Sequence, residues 1–354
     1  MIDITQSDIE ILKKLLKTPG LPGREYLVSE IIKESLPEEG WIIYEDVIGN
    51  LSARKPGKGL KILFIAHMDE VGLIIRRIQN DGFLLVERFG GICVEALPGN
   101  ALDLWTRNNR YDALVGVKSA HISDMNGSVR ELHELYLDIG ADSKEEVKEL
   151  GIRVGDGLTW KSDFYLINNK RIRSKALDNR LGCFALIKLA KLLQEQHINY
   201  DITVSFITQE ESMILEAAPI INKYRPDIAI GIDGTLTFDT PDITNTQCDI
   251  QLGQGPCVKI MDAIRGKTSY LPSWNLTNQI TNYLESTDIS YQPEVVVGLS
   301  TALSLVPFLN NGVRSACLSL PIRYHHSPVE LADLDDVNNL ISLLVSLLKN
   351  SILE

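Results

Sequence analysis

The sequence predicts an α/β fold: a mixed or largely parallel sheet with helices on both faces, interrupted by an inserted β-rich domain. Two observations predict it. Over residues 1–70 and 164–354, short apolar strand patterns alternate with amphipathic helical patterns, which is how a sheet covered by helices reads. Between them, residues 71–163 alternate short strands with turn signals and hold one clear helical run, so the α/β unit is discontinuous. At 354 residues the chain is long enough for two domains and a large core.

The elements follow in order. Ser7 and Glu10 have capping-box spacing at the head of IEILKKLLK, whose leucines recur at helical intervals. TPGLPGRE breaks that helix, and a second helical pattern runs from Tyr26 to Leu36. Trp41–Glu45 and Leu51–Arg54 read as strands around a turn at Gly49 and Asn50, and Ile62–Ala66 as a buried strand. In the β-rich block, strands are predicted over 72–78, 83–87 and 112–117, with turns at Asn80-Asp81-Gly82, Gly90-Gly91 and Pro98-Gly99. Its one helix, 143–150, opens with a Ser-x-x-Glu box. Afterwards helices are predicted over 179–193, 213–224, 274–284 and 334–348, and strands over 202–207, 228–232 and 315–320.

Composition limits the function. With 35 basic and 47 acidic residues the net charge is −12, which repels phosphate backbones and anionic lipid, so neither nucleic acid nor membrane is an expected partner. The N-terminus MIDITQSDIEILKK lacks a basic segment followed by an apolar core, and no apolar run approaches the roughly 20 residues of a membrane span. A cytoplasmic protein is expected. Five scattered cysteines without C-x-x-C spacing indicate neither a disulfide framework nor a thiolate metal site.

The chemistry gathers at strand ends. KILFIAHMDEVG ends its strand on His67 and then offers Asp69, two residues on and on the same side, placed to hold the second ring N–H of His67. Asp178 precedes a helical run, where an aspartate is equally an N-cap. Glu210 and Glu211 close a strand side by side; they are solvated loop acids unless a cation or shared proton reconciles them. Asp233 ends another strand or serves a turn, and His325 and His326 precede Ser327-Pro328. In a parallel sheet these ends converge. The result is a His and carboxylate cluster without thiolates, which suits a pair of divalent metals able to activate water.

The motifs HMDEVG, KALDNRLG, QEE, GIDGT with Asp239-Thr240-Pro241 behind it, LGQGP and RYHHSP resemble the M42 family of dinuclear metallo-aminopeptidases, which includes glutamyl aminopeptidases. DVIGN, LDIGADSKEEV and ISYQPEVV extend the resemblance nearly end to end. It implies that Asp178 bridges two metals, His67 and Asp233 complete one shell, and Glu211 and His326 the other. His326 is preferred over His325 because it stands directly before Ser-Pro. Glu210 matches the general base, taking a proton from a water shared by the metals, and Asp69 the acid that orients His67. The substrate's free α-amine would meet the second metal.

The same resemblance implies two divalent ions per subunit, Zn2+ first and Co2+ or Mn2+ as alternatives. Peptides with a free N-terminus would be the substrates. It also makes 71–163 a dimerisation domain and implies a homo-oligomer, up to a tetrahedral dodecamer. Two stretches depart from the family pattern. Ser212 to Ala217 follows Glu211 where the family has Val-Gly and then Gly-Ala, and Gly298 to Ala302 stands where it has Gly-Gly-Thr-Asp-Ala. Two other readings therefore accompany the aminopeptidase: a dinuclear amidase or deacylase of related fold, and a metal-binding scaffold with impaired catalysis.

Overall fold

The computed structural model describes residues 4–119, 121, 131–213, 215–243, 248–264 and 267–354. Two helices, α1 (Gln6–Lys17) and α2 (Tyr26–Ser35), precede strands β1 (Ile42–Glu45), β2 (Leu51–Lys55) and β3 (Lys61–His67). Then come β4 (Gly72–Ile78), β5 (Leu84–Phe89), β6 (Ala101–Trp105), β7 (Arg110–Val115), β8 (Leu137–Asp138), α3 (Lys144–Glu149) and β9 (Gly157–Trp160). Next along the chain are β10 (Tyr165–Ile167), β11 (Arg171–Ser174), α4 (Leu177–Leu193), β12 (Asp201–Ile207), α5 (Ala218–Tyr224) and β13 (Ile228–Leu236). The chain finishes with β14 (Cys257–Ile264), β15 (Lys267–Tyr270), α6 (Trp274–Glu285), β16 (Gln292–Val297), β17 (Arg314–Ile322), β18 (Glu330–Asp333) and α7 (Leu334–Lys349).

The main sheet has nine strands in the order β1-β2-β12-β3-β13-β17-β14-β15, with β16 pairing β14 beside that path. Its centre, β12, β3, β13 and β17, is parallel throughout, so four carboxyl ends emerge at one edge. Side chains alternate across a strand. Ile62, Phe64 and Ala66 of β3 therefore pack with Leu12, Phe184 and Leu340, while Leu63 and Ile65 pack with Ile220, Ile221 and Leu303 on the other face. Helices cover both sides, which is why β3 reads as a continuous apolar run.

The second unit is a closed barrel, β4-β5-β8-β7-β6-β9. It has its own core, including Leu73, Ile75, Leu84, Val86, Leu104 and Trp160. The α/β body is thus continued after a separate β-rich unit. No helix among the described residues is long and apolar enough to cross a membrane.

Several expectations need correction. Thr5, not Ser7, caps α1: its hydroxyl accepts the Asp8 N–H at 3.3 Å, and Asp8 accepts the Thr5 N–H at 2.9 Å. Ser143 does cap α3, but Glu146 accepts from Asp142 N–H instead of closing the box on Ser143. The helix expected over 213–224 starts only at Ala218, because Pro219 lacks an N–H and fits a first turn alone; residue 214 of that stretch lies outside the described residues. β13 runs four residues beyond the expected 232, paired with β17 as far as Leu236. Strands β14 and β16 were not foreseen, since the wholly buried Lys259, Asp262 and Glu294 break their apolar pattern.

Candidate active site

β3 delivers His67 at its last residue, fully paired with Ile207 of β12. On the other side β13 pairs with β3 only as far as Gly231, opposite Ile65. Beyond that point the two strands part, and Asp233, inside β13 and not at its end, lies with Oδ1 3.5 Å from His67 Nε2. Asp178 Oδ1 is 3.2 Å from the same nitrogen, and Glu210 Oε2 3.9 Å. Three carboxylates thus surround one buried imidazole nitrogen.

Asp178 is free to do this because it caps nothing. The residues Asp178 and Asn179 are non-helical at the start of α4, and the Asn179 side chain accepts the Gly182 N–H at 3.1 Å. Asn179 therefore does the capping, and the second Asp178 oxygen, Oδ2, faces His325 Nε2 at 2.8 Å and His326 Nε2 at 3.4 Å. His326 Nε2 also lies 3.1 Å from Glu211 Oε1. All seven residues expected to form the site, His67, Asp69, Asp178, Glu210, Glu211, Asp233 and His326, stand together. His325, set aside in favour of its neighbour, stands with them.

Asp69 holds the loop after β12. Its two oxygens accept the backbone N–H groups of Glu210, at 3.1 Å, and Glu211, at 3.0 Å. Its Oδ1 is also 3.3 Å from His67 Nδ1, a charge contact that orients the ring.

Glu330 was missed by sequence reasoning. Its buried carboxyl accepts from the backbone N–H of Leu177 at 2.6 Å, Asp178 at 3.3 Å and His326 at 2.7 Å, so it holds two site segments at once. Burial pushes its pKa up to about 7. It belongs to no motif, and only its place two residues after Ser-Pro hinted at it. Gly90 and Gly91, a turn signal in the sequence, do more than turn the chain. A Cβ on Gly90 would come 2.9 Å from Glu211 Oε2, and one on Gly91 3.0 Å from His326 Nδ1, so barrel backbone reaches the site at van der Waals limit.

The electrostatics mark a place for cations. Burial opposes protonation of His67, but Asp178, Asp233 and Asp69 outweigh it and hold its pKa well above the usual value. Burial by itself raises the Asp178 carboxyl; His325, His326 and His67 reverse this and hold it well below the carboxylate range. Burial, reinforced by the charges of Asp233, Glu211 and Asp69, pushes Glu210 well above that range. Asp233 is raised by burial and by Asp178.

The donors fit metal. Two groups, His67-Asp178-Asp233 and Asp178-His325-His326, each present ligand atoms within 4.8 Å of one another, and Asp178 belongs to both. Glu211 Oε1 and His325 Nε2 are buried without an aligned hydrogen bond. Imidazole and carboxylate without thiolate is the donor set of a hard or borderline divalent ion.

The two stretches that depart from the family pattern differ in burial. Met213 and Leu215 point outward, more than half exposed, whereas the Glu216 carboxyl is buried and pushed up to about 7 by desolvation. Thr301 and Ala302 are buried, with Ala302 packing against Ile65 and Leu303.

The chain matches the family described as M42 glutamyl aminopeptidase over residues 49–343. The putative aminopeptidase SgcX of Escherichia coli is 32% identical over 348 residues, covering 96% of this chain and 92% of that protein. Among solved structures, an aminopeptidase from the archaeon Desulfurococcus kamchatkensis has a TM-score of 0.91 at 32% identity, covering 97% of this chain and 95% of that one. The TET1 peptidase of Pyrococcus horikoshii, which can assemble into a tetrahedron or a large octahedral shell, has a TM-score of 0.84 at 32% identity, with 96% and 99% covered. Sequence motifs, fold and a match along most of the chain agree, and the chain belongs to the M42 glutamyl aminopeptidase family.

Proposed function

We propose that this protein is a dinuclear metal-dependent aminopeptidase that removes residues from peptides with a free N-terminus. One observation carries the reading: Asp178 turns Oδ1 to His67 and Oδ2 to His325 and His326, so a single carboxylate serves two donor groups. In this reading Asp178 is shared, His67 and Asp233 complete one shell, and Glu211 and His326 complete the other. Zn2+ suits these donors, and Co2+ or Mn2+ are accepted by the same set.

When bound, such a pair lowers the pKa of water and polarises the scissile carbonyl. The chain's own residues do the rest. Glu210 is the general base, receiving a proton from the attacking water and delivering it to the leaving amine. Asp69 positions Glu210 and Glu211 through their backbone N–H groups and orients His67.

The division into a discontinuous catalytic unit, 1–70 and 164–354, and an inserted dimerisation unit, 71–163, belongs to the same proposal. So do cytoplasmic location and assembly from dimers towards a tetrahedral dodecamer; a relative that forms a tetrahedron supports the assembly.

The test combines metal analysis with amino-acid release from leucyl, glutamyl and lysyl peptides and their N-acetylated forms. Two ions per subunit and cleavage of the free peptides alone are expected. Cleavage confined to blocked substrates identifies an amidase or deacylase instead, and two ions without any hydrolysis identifies a scaffold.

A further inference from the structure

A buried ion cluster stands behind the site, made of residues that no step of the reaction uses. Glu70, Lys175 and Arg180 are each at most 2% exposed. Lys175 Nζ donates to both Glu70 oxygens, at 2.6 Å to Oε1, and Arg180 Nη2 lies 3.5 Å from that oxygen. Arg180 Nη1 donates to the carbonyls of Leu15 at 2.6 Å and Thr18 at 3.0 Å, at the end of α1. Gly20 closes the group: its N–H donates to Glu70 Oε1 at 3.1 Å, and the Glu70 N–H donates to its carbonyl at 2.9 Å.

The placement of these residues along the chain gives the cluster its meaning. Glu70 directly follows Asp69 and is three residues from His67; Lys175 and Arg180 stand three before and two after Asp178. The cluster therefore ties the exit of β3 to the non-helical start of α4, the two segments that bring His67 and Asp178 to 3.2 Å. Arg180, His67 and Asp69 all act electrostatically on the Cys183 thiol, so cluster and site share one neighbourhood. Two buried basic side chains thus converge on one buried carboxylate beside the site. Buried ions hold their places firmly, because separating a pair leaves a charge without a partner in a medium of low dielectric.

We propose that Glu70, Lys175 and Arg180 are positioning residues that hold Asp178 in register with the His67–Asp69 pair, and so set the site's affinity for metal. The inference rests on the dinuclear reading of the site. It assigns no contact with substrate to any of the three.

The experiment titrates the protein with Co2+ alone and records affinity and the visible absorption of the bound ion, which reports ligand geometry. Glu70→Gln and Lys175→Met are each expected to bind Co2+ about 10–100-fold more weakly, the range seen when partners behind metal ligands are lost. Their absorption bands are expected to shift, with kcat on a peptide falling more than KM rises. Gly20→Ala serves as a second probe that removes no charge. Its Cβ would lie 2.7 Å from Arg180 Nη2 and 2.9 Å from Val28 Cγ2, so both must give way; a loss of about tenfold is expected there, and it decides the matter if the charge variants do not fold. Folded variants with parental Co2+ affinity and spectrum overturn the proposal, even if their melting temperatures fall. A parent protein that binds no Co2+ brings down the dinuclear reading and this inference together; failure of the inference alone leaves parent and variants alike.

Discussion

His326 Nδ1 lies 3.1 Å from the carbonyl oxygen of Gly91. A carbonyl only accepts, so Nδ1 carries a proton toward it, and the opposite nitrogen, Nε2, is turned to Asp178 and Glu211. Gly91 belongs to the segment after β5, and the Cys93 N–H also donates to the His326 carbonyl at 3.1 Å. The barrel thus orients a histidine of the α/β body.

Gly91→Ala tests that coupling. The added Cβ meets the imidazole at 3.0 Å, so the ring must shift by a few tenths of an ångström. One of the two metals is expected to bind about tenfold more weakly, with the fold intact. Calorimetric titration with Zn2+ checks it; two sites of parental affinity would show that His326 needs no help from the barrel.

Glu210→Gln keeps the shape of the side chain and removes its basicity. Metal content is expected to stay at the parental level while kcat falls about 10^2–10^4-fold, the usual worth of a general base. Parental turnover removes Glu210 from the role of base.

The two histidines are separable by stoichiometry. His326→Ala is expected to lose one metal per subunit, whereas His325→Ala keeps both, since only His326 pairs with both Asp178 and Glu211. Plasma mass spectrometry of the dialysed proteins measures this, and the reverse pattern exchanges the assignments. Stripping the parent with a chelator is expected to abolish peptide hydrolysis, with recovery on adding Zn2+, Co2+ or Mn2+.

Asp336 gives a pH prediction away from the site. It accepts the N–H groups of Gly253 and Gly255, yet burial pushes its pKa from 3.8 up to about 7. Folding therefore takes up a proton between those values. The stability this group contributes is complete below the unfolded pKa and is lost as pH rises through about 7. Asp336→Asn cannot titrate, so its urea midpoint is expected to fall less than the parent's between pH 4 and 7. Parallel curves for the two proteins contradict the shift.

Local pattern in the sequence reached far. The apolar run ending in His67, the acid two residues on, and the paired glutamates after the next parallel strand all follow from periodicities that span a few residues. The same holds for the inserted β-rich block and most helices. Other features were invisible because they depend on partners distant in the chain. β13 carries Asp233 in its interior because β17 pairs with it to Leu236 after β3 has turned away. Asn179 takes the cap that Asp178 was a candidate for. Glu330 matters through three backbone N–H groups, and Lys259 and Glu294 are buried together in strands that charges disguised.

The amino-acid order by itself determined the apolar strands at the centre of the sheet and the His and carboxylate donors on or near their ends, and hence the chemistry open to them. Only the tertiary structure decided that His67 meets Asp178, 111 residues away, and that Gly90 and Gly91 reach Glu211 and His326. Hydrophobic periodicity is written over one or two turns of chain. Convergence of charged groups is set by sheet order and by packing between units, which no short stretch of sequence contains.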